Sequence, residues 1–565
     1  MSFTLNLGAG HWRALLASLG VGATLLGAPV FAQEVPRGPL VSAAWLQQNR
    51  ADTLVLDASF TSQHRAGHIP GAISADLYRY GVAPPTRAVM EERLRSWGIS
   101  PGRKIVVHDQ GGDMLAPRLF FDLYYHGVPA SDLFILDGGL AQWRAQGGAV
   151  TQEPTPAPAP GSFRVTELRE ESRVRFDEFF AASGDRTRHA LVEALDPDYH
   201  FGAQKFFDRA GHVPGAVLMP GADFYNADKT FKSPAELKRL LDYFGIKPDQ
   251  TVHSHCGGGV AASVPWFAFK FLVGHPQVKL YMESQREWLQ DERGLPYWTY
   301  AAPQIRRDGA WLDGWNAPML RAFGVVQLNI VDVRGASSYA LGHVPFALNL
   351  PAETFRAHLR QPALLAQLLG PAGVNPAHEV VLVSDGGLTP SAALAFLAFE
   401  QLGHKKISVL MDSVDEWGLR GFALSKQATT VGAPRSPQDL AVPAANYVWR
   451  EPVNEPAAAP AAVLVNARAS RPGVFPRLYV AAGKAAPGRT PPGTPEGTVR
   501  RLPYTELLNA DGTPKPAKDL WKLFSDAGIP RHAELVFFAD DPAEAAVNYV
   551  VFKLMGWPDI KVWAL

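Results

Sequence analysis

Apolar residues along this chain fall into short continuous runs and longer helical patterns, and the two alternate. Runs such as Ile105-Val106-Val107, Val380-Val381-Leu382-Val383 and Leu535-Val536-Phe537-Phe538 have the length and β-branched or aromatic content of strands buried on both faces. Each leads into a loop and then a helical pattern closed by a glycine: Gly127, Gly274, Gly403 and Gly556. A further strand follows each glycine, at Phe134–Leu136, Val278–Tyr281, Ile407–Leu410 and Ile560–Val562. Earlier strands end near an acid or amide, at Leu54–Asp57, Leu191–Glu193, Ile330–Asp332 and Leu464–Asn466.

The same order of elements therefore runs four times. Strands alternating with helices predict an α/β fold of tandem domains, each a mainly parallel sheet flanked by helices. A second motif recurs between the strands: Gly67-His68-Ile69-Pro70-Gly71-Ala72, Gly211-His212-Val213-Pro214-Gly215-Ala216 and Gly342-His343-Val344-Pro345-Phe346-Ala347. Only a relic survives around Gly493–Gly497. Proline sets one dihedral of this turn and glycine opens another. The units are placed at 38–152, 165–300, 316–428 and 461–565. The Pro/Ala connector Glu153–Pro160, a junction at Ala301–Trp315 and the Pro/Ala-rich stretch Val431–Pro460 separate them. The chain ends just after the last strand, so the fourth unit is expected to lack a closing helix.

At 565 residues, roughly three to five domains are expected. Formal net charge is zero, with no long basic or acidic block, which speaks against nucleic-acid binding or a polyanionic partner. Arg13 precedes an apolar segment to about Leu26, and Val30-Phe31-Ala32 is a small-residue cleavage pattern. Residues 1–32 read as a signal peptide, with export to a bacterial periplasm and no stable membrane insertion after cleavage. No cysteine follows the cleavage site, so no lipid anchor is expected there.

Cys256 is the only cysteine, so no intrachain disulfide is possible. It opens the loop Cys256-Gly257-Gly258-Gly259-Val260-Ala261 after a strand and before a helical pattern over Val260–Val273. Consecutive glycines allow backbone N–H groups to turn inward and form an anion-binding nest, reinforced by the positive end of the helix. The thiolate is the nucleophilic form of cysteine. A buried inert thiol would have no need of Gly257, Gly258 and Gly259.

This loop resembles the active-site loop of the rhodanese superfamily, and the Gly-His-hydrophobic-Pro-Gly-Ala turns are similar to that family's domain signature. Cys-Gly-Gly-Gly-Val-Ala is closer to the Cys-Gly-Ser-Gly-Val-Thr loop of 3-mercaptopyruvate sulfurtransferases than to the thiosulfate type. Gly258 and Ala261 stand where that loop has hydroxyls. The resemblance implies a sulfurtransferase without cofactor or metal, working through a Cys256 persulfide. The implied partners are a small anionic donor, thiosulfate or 3-mercaptopyruvate, and cyanide, a thiol or a thiol protein as acceptor. Gly257, Gly258, Gly259, Val260 and Ala261 would bind substrate, with Arg209 as the cation that precedes the Gly-His turn. Lys205 and His200 are weaker candidates for that role.

Asp109, Asp385 and Asp540 hold the position of Cys256 in the other units, which reads as three non-catalytic copies whose aspartates cap helices. His68 reads as a structural turn histidine, His253 and His255 as strand side chains, and Arg286 as part of a solvated helix face. A phosphatase loop would need arginine at Ala262. His253, His255 and Cys256 match no zinc spacing, and no phosphate-binding lysine follows the glycines. The rival reading is a sulfur carrier or partner-binding protein that does not turn over a donor.

Overall fold

The structure, a computed structural model, describes residues 38–429, 463–465, 474–491 and 493–564. The expected signal peptide and the Val431–Pro460 linker lie outside these residues. Four five-stranded sheets are present among the described residues, and all share one strand order. The first holds β1 (Leu40–Val41), β2 (Thr53–Asp57), β3 (Ile73–Ser74), β4 (Lys104–His108) and β5 (Leu133–Leu136), in the order β1-β5-β4-β2-β3. The second holds β6 (Arg173–Val174), β7 (His189–Glu193), β8 (Val217–Leu218), β9 (Thr251–His255) and β10 (Val278–Tyr281), in the order β6-β10-β9-β7-β8. The third repeats it with β11 (Arg306–Arg307), β12 (Leu328–Asp332), β13 (Leu348–Asn349), β14 (Glu379–Val383) and β15 (Ile407–Leu410). The fourth does so with β16 (Val463–Val465), β17 (Arg477–Ala481), β18 (Val499–Arg501), β19 (Glu534–Phe538) and β20 (Ile560–Ala564).

All pairings in the first three sheets are parallel, for example Leu191 opposite His253 and Lys279 opposite His253. Parallel strands need crossovers, and the helices that supply them cover both faces. The glycines that close the four central helices, Gly127, Gly274, Gly403 and Gly556, all sit at positive φ, where a β-carbon is disfavoured.

Two sequence expectations are corrected here. In the fourth unit the counterpart of β2, β7 and β12 is β17, which pairs with β18 and β19, whereas Leu464 and Val465 lie in β16, an edge strand antiparallel to β20. The Leu-Tyr-Val-Ala run of β17 is the one buried between neighbours; Leu464–Asn466 resembled it only in local composition. The third unit begins before residue 316: β11 joins its sheet, and the helix Gly309–Trp315, capped by the Asp308 carboxylate at 2.8 Å from Trp311 N, packs Leu312 into its core.

The cores explain why the sheets come in pairs. One large apolar cluster joins the first and second units, from Leu40 to Met282. Another joins the third and fourth and reaches Phe201 and Leu218 of the second. In the first pair the helices Leu115–Tyr125 and Ser263–Phe267 meet through Phe120–Phe267 and Phe121–Trp266, with ring centroids 4.9 and 4.8 Å apart. A turn in each pair repeats the same bonds: Asn226 N to Thr230 O and Asn509 N to Thr513 O, both 2.8 Å. The connector after Glu153 is strapped to the first unit, with Phe163 N bonded to Ile99 O at 3.1 Å and Thr155 Oγ1 3.3 Å from His68 Nε2. No helix among the described residues is long and apolar enough to cross a membrane.

Candidate active site at the Cys256 loop

β9 delivers Cys256 to the seam between the first two units, where it is 3 % exposed and part of their shared core. The helix starts at Ser263, later than the expected Val260, because the loop uses Cys256–Ala262 for a turn of its own. Helical geometry then runs on as a π-helix over Ala268–Val273.

Inside the loop, the Gly259 N–H donates to Cys256 Sγ at 3.1 Å. It is the one N–H of the glycine run that bonds the sulfur; Gly257, Gly258 and Val260 supply none within hydrogen-bond geometry. Gly259 has φ +81, and a β-carbon there would fall 2.2 Å from the Met282 carbonyl oxygen. Gly258 differs: a β-carbon on it meets no atom within 4 Å. Gly257 lies beneath the Phe206 ring, 3.3 Å from where its β-carbon would be. Phe206 is 55 % exposed and stacks on Tyr199 with centroids 4.0 Å apart.

The Cys256 peptide is held from the segment after β10. Ser284 Oγ accepts the Cys256 N–H at 3.1 Å and donates to Tyr281 O at 2.6 Å. Gln285 N–H donates to Cys256 O at 3.0 Å, and Arg286 N–H to Gly257 O at 3.1 Å. Ser284 adopts φ +54, a left-handed conformation that a serine takes only at a cost. The first unit has a glycine, Gly139, at the same φ, with Leu140 N and Ala141 N bonded to Asp109 O and Gln110 O. Setting the two units side by side is the sequence signal that could have singled out Ser284.

The first unit closes the site. Arg118, fully buried, donates from Nη1 to Gly259 O at 3.3 Å, from Nη2 to Val82 O at 2.8 Å, and pairs with Asp122 at 3.1 Å. Ser263 Oγ reaches Met114 O at 3.3 Å, and Tyr225 OH donates to Asp113 O at 2.7 Å. Burial raises the Tyr78 phenol pKa, and the negative charge of Asp113 raises it further. Arg118, Ser284, Gln285, Tyr78 and Phe206 were not singled out by sequence patterns.

Behind the loop lies a buried polar cluster. The Glu193 carboxylate bonds His200 Nδ1 through one oxygen and the Gln285 amide through the other. His255 Nε2 is 3.8 Å away. The rings of His200 and His212 stack with centroids 3.7 Å apart. Burial pushes His200 and His212 down to about 3 and His255 to about 4, so all three are neutral at pH 7; burial also raises Glu193. In the first unit Asp57 bonds His64 at 2.7 Å, and His64 stacks on His68 at 3.9 Å. His68 Nδ1 bonds His64 O at 2.9 Å, which makes it part of the turn. His253 Nε2 is 3.0 Å from His189 Nδ1 and points away from chemistry.

Among the expected cations, Arg209 bonds Leu295 O at 2.7 Å and lies over the Tyr297 ring, and Lys205 bonds Asp208 O at 3.3 Å. The half-buried guanidinium of Arg286 forms no ion pair among the described residues. Val260 is buried in the shared core, and Ala261 is half-buried beside it. The three aspartates behave differently from one another. Asp109 accepts N–H groups from Gly111 and Ala116 at 2.8 Å each, and burial beside Asp113 pushes it up to about 7. Asp385 is exposed, and Thr389 caps its helix instead. Asp540 takes the Gly488 N–H, while Asp541 caps the helix Pro542–Leu554. Helix capping by the aspartate therefore fails in the third and fourth units, where the neighbouring loop residue sits nearer the first helical turn. No group of three or more His, Cys, Asp or Glu among the described residues is placed to hold a metal ion.

The model of the rhodanese-like domain matches residues 42–146 and 318–419, the first and third sheets. The sulfur carrier protein TtuD of Thermus thermophilus is 30 % identical over 267 residues, covering 44 % of this chain and 93 % of that protein. The chain belongs to the rhodanese family. A probable 3-mercaptopyruvate sulfurtransferase of Pseudomonas aeruginosa is 30 % identical over 264 residues, covering 43 % of this chain and 91 % of that relative. The crystal structure of SseA from Escherichia coli is 26 % identical with a TM-score of 0.40, covering 44 % of this chain and 98 % of that one. Sulfurtransferase relatives of the rhodanese family thus span less than half of this chain, and sulfur transfer is the general chemistry they carry.

Proposed function

We propose that this protein is a sulfurtransferase that moves sulfane sulfur from thiosulfate or 3-mercaptopyruvate to a thiol or cyanide through a Cys256 persulfide. The observation that carries the reading is the Gly259 N–H at 3.1 Å from Cys256 Sγ, in a loop anchored by Arg118 of the first unit and by Ser284 of its own. With thiosulfate, the thiolate attacks the outer sulfur, the S–S bond breaks and sulfite leaves with the electron pair. With 3-mercaptopyruvate, the C–S bond breaks, the thiol proton passes to the methylene carbon and pyruvate leaves. An acceptor thiolate or cyanide then attacks the outer persulfide sulfur and returns Cys256 to thiolate. The Gly259 N–H stabilises the sulfur anion at each stage. Arg209 gives one donor to Leu295 O, and beside it we assign Arg286, whose backbone N–H holds Gly257 O, as a cation for an anionic donor.

The second and fourth units are read as further rhodanese-like domains, on strand order and on the turns they share. Export rests on the segment Arg13–Ala32. A carrier without turnover is the second reading, favoured by the deep burial of Cys256 and by Gly258 and Ala261 in place of hydroxyl residues.

The test is release of sulfite or pyruvate by purified protein beside Cys256→Ser. Cys256-dependent turnover with either donor supports the enzyme. Folded protein that accepts persulfide sulfur from a donor protein, yet releases neither product, supports the carrier.

A further inference from the structure

Between the second and fourth units lies a cavity of about 200 Å³. Phe201, Phe244, Met555 and Trp557 form its apolar walls. Its polar lining is His200, Arg531 and His532. Burial pushes His200 down to about 3 and His532 to about 4, so both rings are neutral at pH 7. The Arg531 guanidinium is paired with Asp223. The cavity thus offers aromatic faces and no unmatched charge. The cavity is half open to solvent, and clefts at domain interfaces are common places for ligands. An apolar cavity of about 150 Å³ is enough to take a benzene ring. This one suits a single ring or two fused rings.

One wall is bonded to the active loop. His200 Nδ1 bonds Glu193, the Gln285 amide bonds the other Glu193 oxygen, and the Gln285 N–H holds Cys256 O at 3.0 Å. His200 and Glu193 are buried, and this chain of bonds joins them directly to the Cys256 peptide. A ring placed against His200 presses on the group that fixes the Cys256 peptide.

We propose that this cavity binds a small uncharged aromatic molecule and that its occupancy changes the reactivity of Cys256 through His200, Glu193 and Gln285. The fourth unit, which has no thiol, then supplies half of a ligand site for the second.

The test uses the full chain with indole as probe. Calorimetry reads binding, and the rate of alkylation by iodoacetamide reads the single thiol. Neither readout needs a sulfur donor, so this result and the assay for sulfur transfer stand or fall separately. Expected are one saturable site below about 1 mM, and an alkylation rate altered about threefold at saturation. Met555→Trp fills the cavity and abolishes binding; Val217→Phe serves if that variant does not fold. Glu193→Gln keeps binding and loses the effect on alkylation. Absence of saturable binding, binding that survives a folded cavity-filling variant, or an unchanged alkylation rate at saturation overturns the proposal.

Discussion

Arg118 of the first unit donates to the carbonyl of Gly259 in the second, at 3.3 Å, while the N–H of that same glycine points at the Cys256 sulfur. The Cys256 loop is thereby gripped by a unit that has no cysteine of its own. The consequence is direct. Arg118→Met removes the ion-pair partner of the buried Asp122 carboxylate, which keeps the Tyr80 hydroxyl, and frees the Gly259 peptide. Removing one partner of a buried pair costs about 3–5 kcal/mol. Chemical denaturation should show that loss, and alkylation of Cys256 in the folded variant should change with it. A variant as stable as the parent would show that the contact carries no load.

Ser284 pays for its left-handed backbone with its hydroxyl, which takes the Cys256 N–H. Ser284→Gly relaxes the backbone but leaves that buried N–H unsatisfied, at about 1–3 kcal/mol. Ser284→Ala suffers both losses and should be the less stable of the two. Both should lower turnover by about tenfold or more, and melting temperatures together with kcat decide the order.

The glycines of the loop are not equivalent. Gly258→Ser restores a hydroxyl in open space and should change stability by no more than about 0.5 kcal/mol. Gly259→Ala meets the Met282 backbone at positive φ and should lose several times that, with loss of alkylation specificity. Equal melting temperatures for the two variants would contradict the loop geometry.

Stability should fall as pH is lowered from about 7 toward 4. His200, His212, His253 and His255 have folded values of about 3 to 4, below the ordinary 6.5, so in that window the unfolded chain binds more protons than the folded one. The slope is positive with pH, up to about 1.4 kcal/mol per pH unit for each histidine. Glu193 and Asp109, both raised by burial, work in the opposite direction, two carboxyls against four histidines. Urea midpoints across this range check the sign, and His212→Phe should flatten the dependence.

Much of this was legible in the chain itself. The strands at Ile105–Val107, Val278–Tyr281 and Leu535–Phe538, the helix-closing glycines and the lone thiol at a glycine loop all follow from local patterns. Burial on a strand or helix imposes a period, and a turn imposes particular residues, so a few neighbouring positions suffice to read them. The same locality misplaced the early strand of the fourth unit, since Leu464-Val465 and Leu478–Ala481 are locally alike and only pairing with β18 and β19 tells them apart.

The site was a matter for tertiary structure. Arg118 and Gly259 are 141 positions apart, and Ser284 lies 28 beyond Cys256. Nothing in either stretch states that they meet. The sequence by itself determined four repeats of one α/β unit and a single thiol at the entrance of one glycine loop. Only the packing of the first unit on the second decided that the loop is clasped by Arg118, and only the folding of the second unit on itself laid Phe206 over Gly257. Only the end of β10 decided that Ser284 and Gln285 hold the Cys256 peptide. Such contacts depend on how separate elements are docked, and docking is set by the summed shape of whole apolar faces, not by any short run of residues.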